Sequence, residues 1–347
     1  MRELARLEGM RALAWAGDVL YASRGYEVVR ARVAQPEDGT FAPAWEPVGE
    51  FQASLCRRAT SRARLASRLM RDGFHALAIH PSGTLVGAVP GAIATCAPEE
   101  TRFRTTHAIS RGTRPLNIAV TPSGHFFWGE YFDNPARLAV HIYSSEDVGQ
   151  SWRVAYTFPA GSIRHVHSVV YDRWRDCLWI LTGDYGGECR ILQAKCDLSE
   201  VRTILSGNQQ ARAVACIPAQ EGLYFSTDTP LEANFICRLS DDGAVVRLAS
   251  ISSSSIDSCR TRSGMFFSTM VEPSEVNRDP QVRIYGSRNG QTWAPELAWR
   301  KDRWPMRFFQ YGNAFFPGGE NSTEVLAVTT VAVDGADGRM SLYAVAE

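Results

Sequence analysis

One unit of sequence recurs along this chain and limits what it can fold into. An apolar strand meets a polar or Pro/Gly turn and a second apolar strand. A loop carrying acids or Asn follows, then a third strand and usually a fourth. Copies begin at Met10 (MRALAWAGDVLYASRGYEVVRARV), His75 (HALAIHPSGTLVGAV), Pro115, His165, Ala211, Ser255 and Tyr311. Their starts are roughly 40 to 65 residues apart, the period of small sheets that bury their faces by stacking on copies of themselves. Seven copies predict an all-β chain: one domain over 1–347, a seven-bladed β-propeller of four-stranded blades. The last copy has strands near 325–330 and 340–345 and lacks an outer one. Residues 3–8 are expected to supply it, closing the ring and removing free sheet edges. Segment 55–71 (LCRRATSRARLASRLMR) breaks the pattern. It is expected to be a solvated amphipathic helix inserted between the first two blades.

Composition narrows the function. Lys+Arg and Asp+Glu are both 37, a balance that favours neither nucleic acid nor a membrane surface as partner. The opening MRELARLEGMRALAWAG is charged and has no long apolar run, so neither a secretory signal nor a membrane span is expected. None of the eight cysteines sits in a CxxC pair and several lie in apolar runs. Free thiols in a reducing cytoplasm are the expectation.

The richest chemistry lies in RHVHSVVYDRWRDCLWILTGDYGGE, residues 164–188. His165 and His167 are two apart on a strand, so both imidazoles point to one side. They are read as hydrogen-bonding groups, an acid or base, or metal ligands. His-x-His alone lacks the third ligand a metal needs, so no cofactor is expected. Propeller geometry places the start of each innermost strand and the loop after each second strand on one rim. That rim would gather Arg114, Arg164 and Arg212, with Glu130, Tyr131, Asn134, Asp184, Glu188, Asp228 and Asn234. His165, Asp184, Glu188, Glu130 and Tyr131 are the candidate catalytic groups. Arg114, Arg164, His167, Gln209, Arg212, Asn134 and Asn234 are the candidate substrate contacts. Arginines bind carboxylates through two parallel hydrogen bonds, and Asp, Glu and Asn satisfy sugar hydroxyls.

At Ser145 the chain reads SEDVGQSW, and a shorter variant, SRNGQTW, starts at Ser287. Ser145, Asp147, Gly149 and Trp152 match S-x-D-x-G-x-x-W. The chain thus resembles the Asp-box (BNR repeat) sialidase-like propellers, over about 15 residues directly. The resemblance implies a hairpin turn at Asp147 that has a structural role, and a carbohydrate ligand. The Arg-Ile-Pro of true sialidases is absent. The expected function is therefore a glycoside hydrolase acting on an anionic or uronic-acid-containing glycan in the central funnel. Two alternatives use the same parts. One is a polysaccharide lyase working through His/Tyr and Arg. The other is a non-catalytic propeller that binds glycans or proteins.

Overall fold

The computed structural model describes residues 1–33 and 41–345. The sheet that begins at Val166 shows how the sequence sets the architecture. Its strands Val166–Asp172, Cys177–Thr182, Arg190–Lys195 and Val201–Ser206 pair antiparallel in chain order. The second strand, CLWILT, is buried on both faces. Leu178 and Ile180 pack with Phe127, Ile142 and Val166 on the side of the preceding sheet. Cys177, Trp179 and Leu181 pack with Cys216, Leu223 and Phe225 of the following sheet. Side chains alternate across a strand, so one continuous apolar run serves two interfaces. Each large apolar side chain buried this way contributes about 1.5–3 kcal/mol.

Among the described residues there are five four-stranded sheets and one nine-stranded sheet. Three further sheets repeat the same meander over residues 119–158, 213–251 and 255–300. The nine-stranded sheet contains two such meanders, 11–51 and 76–108. Their outer strands, Glu46–Phe51 and Arg102–Ala108, join in parallel at Glu50↔Arg102 and Phe51↔Phe103. Gly318–Asn321 adds in parallel to Arg11–Gly17. The remaining sheet unites both ends of the chain. Arg2–Glu8 pairs with Arg339–Ala344, from Arg2↔Ala344 to Glu8↔Arg339. Val325–Val331 and Asn313–Phe315 complete that sheet. The outer strand expected from residues 3–8 is thus in place.

Innermost strands stand side by side around an axis: Arg11–Gly17 against Ala76–Ile79, then Ala119–Val120, Val166–Asp172, Ala213–Ala219, Ser255–Arg260 and Asn313–Phe315. All of them line one channel of about 2060 Å³. The architecture is a β-propeller. Several innermost strands carry a bulge near their start, between Ala12 and Ala14, Val166 and Ser168, Ala213 and Cys216, and Ser255 and Asp257. A bulge turns the extra residue out of register and re-aims its side chain.

The Asp-box segment is a turn between the third and fourth strands of its sheet. Asp147 Oδ1 accepts from Ser145 Oγ (2.8 Å) and from the Ser151 amide (2.9 Å), while the Gly149 amide donates to Ser145 Oγ (2.9 Å). Gly149 is in the left-handed region (φ +79), and a Cβ there would lie 2.6 Å from Val86 of the preceding sheet. Trp152 reaches back to donate to Thr106 Oγ1 (3.1 Å). The Ser287 turn repeats the plan, with Asn289 in place of the Asp.

The inserted segment departs from expectation. It forms two short helices, Leu55–Thr60 and Arg64–Met70, and it is docked rather than solvated. Arg68 is buried and ion-paired with Asp337 (3.0 Å) and Asp302. Arg57 donates to Asp72 (2.9 Å), which also accepts from Tyr26 (3.0 Å). An apolar-moment reading misses this because the arginines themselves make the docking contacts. Among the described residues no helix is long and apolar enough to cross a membrane.

Deleting residues 1–9 strips the partner from Arg339–Ala344 and leaves a bare apolar edge. The truncated protein is expected to melt well below the full chain and to self-associate. Thermal scanning with light scattering measures both, and an unchanged melting point would contradict closure through these two strands.

Candidate functional site

The start of each innermost strand pairs with the end of the second strand: Val166 with Thr182, Ala213 with Thr227, Ser255 with Thr269. Residues just outside these pairs therefore collect at one mouth of the channel. They include Tyr131, His165, His167, Asp184, Arg212, Asp228 and Glu272. Of these, Tyr131, His167, Asp184, Arg212, Asp228 and Glu272 line the channel directly.

Backbone geometry places Asp184. Gly183 has φ +81, and a Cβ on it would sit 1.9 Å from the Glu188 carbonyl oxygen, so only glycine permits the loop to fold back. The Asp184 carbonyl is held by Gln209 Nε2 (2.9 Å) and Arg212 Nη1 (3.3 Å). Gln209 is itself buried and accepts from Thr229 Oγ1 (2.7 Å). Its role is to position the loop.

His167 is the residue expelled by the bulge between Val166 and Ser168, which aims its ring at the mouth. Its Nδ1 faces the Ala213 carbonyl oxygen at 2.8 Å, and Nδ1 of His165 faces that of Phe132 at 3.1 Å. A carbonyl only accepts, so each Nδ1 carries its proton. The two Nε2 atoms then meet at 3.1 Å, and Asp184 Oδ1 lies 3.5 Å from that of His165 and 3.4 Å from that of His167. Among the described residues these three side chains alone form a cluster fit to hold a metal ion. Tyr131 packs on His165, ring centroids 4.4 Å apart.

Arg212 links two carboxylates. Its Nη2 is 3.4 Å from Asp184 Oδ1 and 3.1 Å from Asp228 Oδ2. The acids respond oppositely to their surroundings. Burial alone would raise Asp184, but hydrogen bonds and charge from His165 and His167 outweigh it and hold the carboxyl well below the usual range. Burial pushes Asp228 up to about 7 against the pull of Arg212, with Glu272 and Asp184 adding to the rise. Burial also lowers His167. Burial, then the charges of Asp184 and Asp228, pushes Tyr131 up to about 12.

The opposite wall is cationic. Arg11, Arg71, His75 and Arg114 line it, and among the described residues none of these arginines lies within 4 Å of an acid. Nη1 of Arg114 and Nε of Arg11 are buried without a hydrogen-bond partner. Burial, then repulsion from Arg11 and Arg71, pushes Arg114 down to about 9.

Of the residues expected from sequence, the structure gathers His165, His167, Asp184, Tyr131 and Arg212 at this mouth, with Gln209 behind them and Arg114 across the channel. Arg164 approaches Asp184 Oδ2 (3.5 Å) from outside and pairs with Asp133. Four expected residues are not brought to the channel. Glu130 is buried against Arg111 (3.0 Å) and the His141 amide (2.8 Å). Glu188 pairs with Arg137 (2.7 Å). Asn134 bonds the Leu138 and Arg164 carbonyls (3.0 Å each), and Asn234 bonds Thr229 and Asn277. All four side chains are taken up by protein partners, Asn134 and Asn234 partly within their own loops and Glu130 and Glu188 by arginines from other segments. Arg11, Arg71 and His75 were not among the expected site residues, whereas Glu272 follows a second strand on the rim expected from sequence. Arg11 and His75 lie at the start of a repeat, and Arg71 closes the inserted segment.

No family profile and no curated protein sequence matches this chain. Solved structures do resemble it. The WD40 β-propeller domain of Doa1 superposes with TM-score 0.58 at 11% identity, over 98% of this chain and 95% of that one. A chain of the mitotic checkpoint complex gives TM-score 0.58 at 11% identity over 99% and 96%. The GH74 enzyme of Niastella koreensis gives 0.53 at 15% identity, over 85% of this chain and 46% of that one. At these identities the likeness establishes the β-propeller fold alone.

Replacing Arg212 by Met leaves Asp184 and Asp228 without their shared counter-charge, an expected loss of about 3–5 kcal/mol in urea unfolding at pH 8. The sign with pH follows from Asp228. Its folded pKa lies above the ordinary carboxylate value, so its contribution to stability is present at low pH and declines as pH rises through about 7. Without Arg212 that pKa climbs further, and the deficit should therefore shrink on going from pH 8 to pH 5.

Proposed function

We propose that this chain is a seven-bladed propeller of the Asp-box type that hydrolyses an anionic or uronic-acid-containing glycan in its axial channel. Counting the two meanders of the nine-stranded sheet separately supports seven blades. The hydrogen-bonded turn from Ser145 to Trp152 supports the Asp-box type. All eight cysteines are free, which supports a reducing compartment.

The observation that carries the hydrolytic reading is the Arg212 bridge. Two channel-lining carboxyls sit on one guanidinium, yet one is kept ionised while the other holds its proton to about pH 7. Glycoside cleavage calls for such a division between a proton donor and a charged partner. Asp228 gives its proton to the glycosidic oxygen as the bond to the anomeric carbon breaks. A water oxygen bonds to that carbon, and its proton passes to the imidazole pair beside ionised Asp184. Arg114, with Arg11 and Arg71, offers the glycan carboxylate a cationic wall, in which Nη1 of Arg114 and Nε of Arg11 have no protein partner. The arrangement acts by placing opposite charge where it develops.

Elimination is the second reading. Tyr131 packs against His165 at the mouth, which supports a role in proton transfer at a uronate. Its phenol, pushed up to about 12, is a reluctant base at neutral pH, and hydrolysis is preferred on that ground.

A panel of anionic glycans separates the two, new reducing ends marking hydrolysis and an absorbing unsaturated product marking elimination. Asp228→Asn is expected to lower hydrolysis by about 10²–10⁴-fold, the usual worth of a general acid. The parent rate should fall as pH rises through about 7, where Asp228 loses its proton. An unchanged rate in Asp228→Asn would remove the assignment.

A further inference from the structure

We propose that His165, His167 and Asp184 form a binding site for a divalent transition metal of the zinc class. The site would use Nε2 of both imidazoles and Oδ1 of the carboxylate. This stands on donor geometry; a bound ion would occupy the Nε2 lone pairs that accept the water proton in the glycan reading, so the metal-bound and proton-accepting states of the pair exclude each other.

Three features converge. The first is spacing. The donor atoms are 3.1, 3.4 and 3.5 Å apart. A tetrahedral ion with bonds of about 2.0–2.1 Å sets its donors about 3.3–3.4 Å apart. The second is orientation. Both Nδ1 protons are taken up by backbone carbonyls of Phe132 and Ala213, so the Nε2 lone pairs point at one another. Lone pairs at that separation repel unless a positive centre lies between them. A shared proton can serve, and so can a metal, which would take that proton's place. Backbone carbonyls behind both ligating imidazoles are also the usual outer support of a metal site. The third is restraint. Asp184 is fixed through its own carbonyl by Gln209 and Arg212, and His167 by the bulge, so little ordering remains to be done on binding.

Asp184 would supply one negative charge to the ion in competition with Arg212 and Arg164, which lie 3.4 and 3.5 Å from its two oxygens. Two imidazoles and one carboxylate select zinc, iron or cobalt over calcium and magnesium, which prefer oxygen. Three protein ligands leave a coordination position free. Asp184 and His167 both line the channel, so that position opens towards it, as in catalytic rather than structural zinc sites. A metal there would lower the pKa of a bound water beside Asp228.

The test uses the full chain stripped with chelator and titrated with Zn²⁺ and with Co²⁺ by calorimetry. One ion per chain is expected, with visible Co²⁺ absorption of a low-symmetry site. X-ray absorption should report two imidazole nitrogens and a carboxylate oxygen around the zinc. His167→Gln and Asp184→Asn, each checked for parental melting behaviour, are expected to lower affinity about 100-fold or more. If either variant fails to fold, the absorption spectrum of the parent alone decides. Failure of the parent to bind one ion, a ligand shell without imidazole, or equal affinity in both folded variants would overturn the site. Metal binding without glycan turnover would retain the site and dispose of the glycosidase. Turnover indifferent to chelator in a chain that binds no metal would do the reverse.

Discussion

Hydrogen bonds between the two ends of the chain hold this molecule in a circle. Arg2–Glu8 lies antiparallel to Arg339–Ala344, so the last sheet takes its outermost strand from the beginning of the sequence. Everything at the channel mouth depends on that closure. Tyr131, His167, Asp184, Arg212, Asp228 and Glu272 come from four different sheets and the loops between them. No local element brings any three of them together. The circle does so because it fixes the tilt and spacing of each sheet relative to the axis.

Much of this was legible from residues alone, for a physical reason. A strand wedged between two sheets must be apolar on both faces, and CLWILT or GLYFST announces that burial without help from distant sequence. The pairing of a strand start with the end of its neighbour follows from antiparallel geometry, so His165, His167, Asp184 and Arg212 could be placed on one rim. What was not legible was who neutralises whom. Glu130 and Glu188 look as chemical as Asp184 in the sequence, yet Arg111 and Arg137 consume them. Those partners lie 19 and 51 residues away, and no local pattern distinguishes a loop acid held by an arginine from one left to face the channel. Asn134 and Asn234 mislead similarly, since an amide that clamps its own loop reads like one that could meet a sugar.

The inserted helices show the complementary limit. A run of arginines reads as a solvated face, and Arg58 and Arg62 are indeed exposed. Arg68 is instead buried between Asp302 and Asp337, acids from the far end of the chain. This docking settles Arg71 on the channel wall. An element outside the repeat thus contributes to the site, and a reading based on the repeat had no reason to include it.

The channel is electrically uneven, with Arg11, Arg71 and Arg114 on one wall, Asp257 near Arg11, and Asp184, Asp228 and Glu272 around Arg212 on the other. A field across a narrow, poorly screened space acts on orientation as well as on affinity. A guest whose own charge is unevenly distributed would feel a torque before any contact formed, turning its negative end towards the arginines. Such a molecule would arrive already facing one way, and its mirror-placed analogue would have to rotate against that field to react.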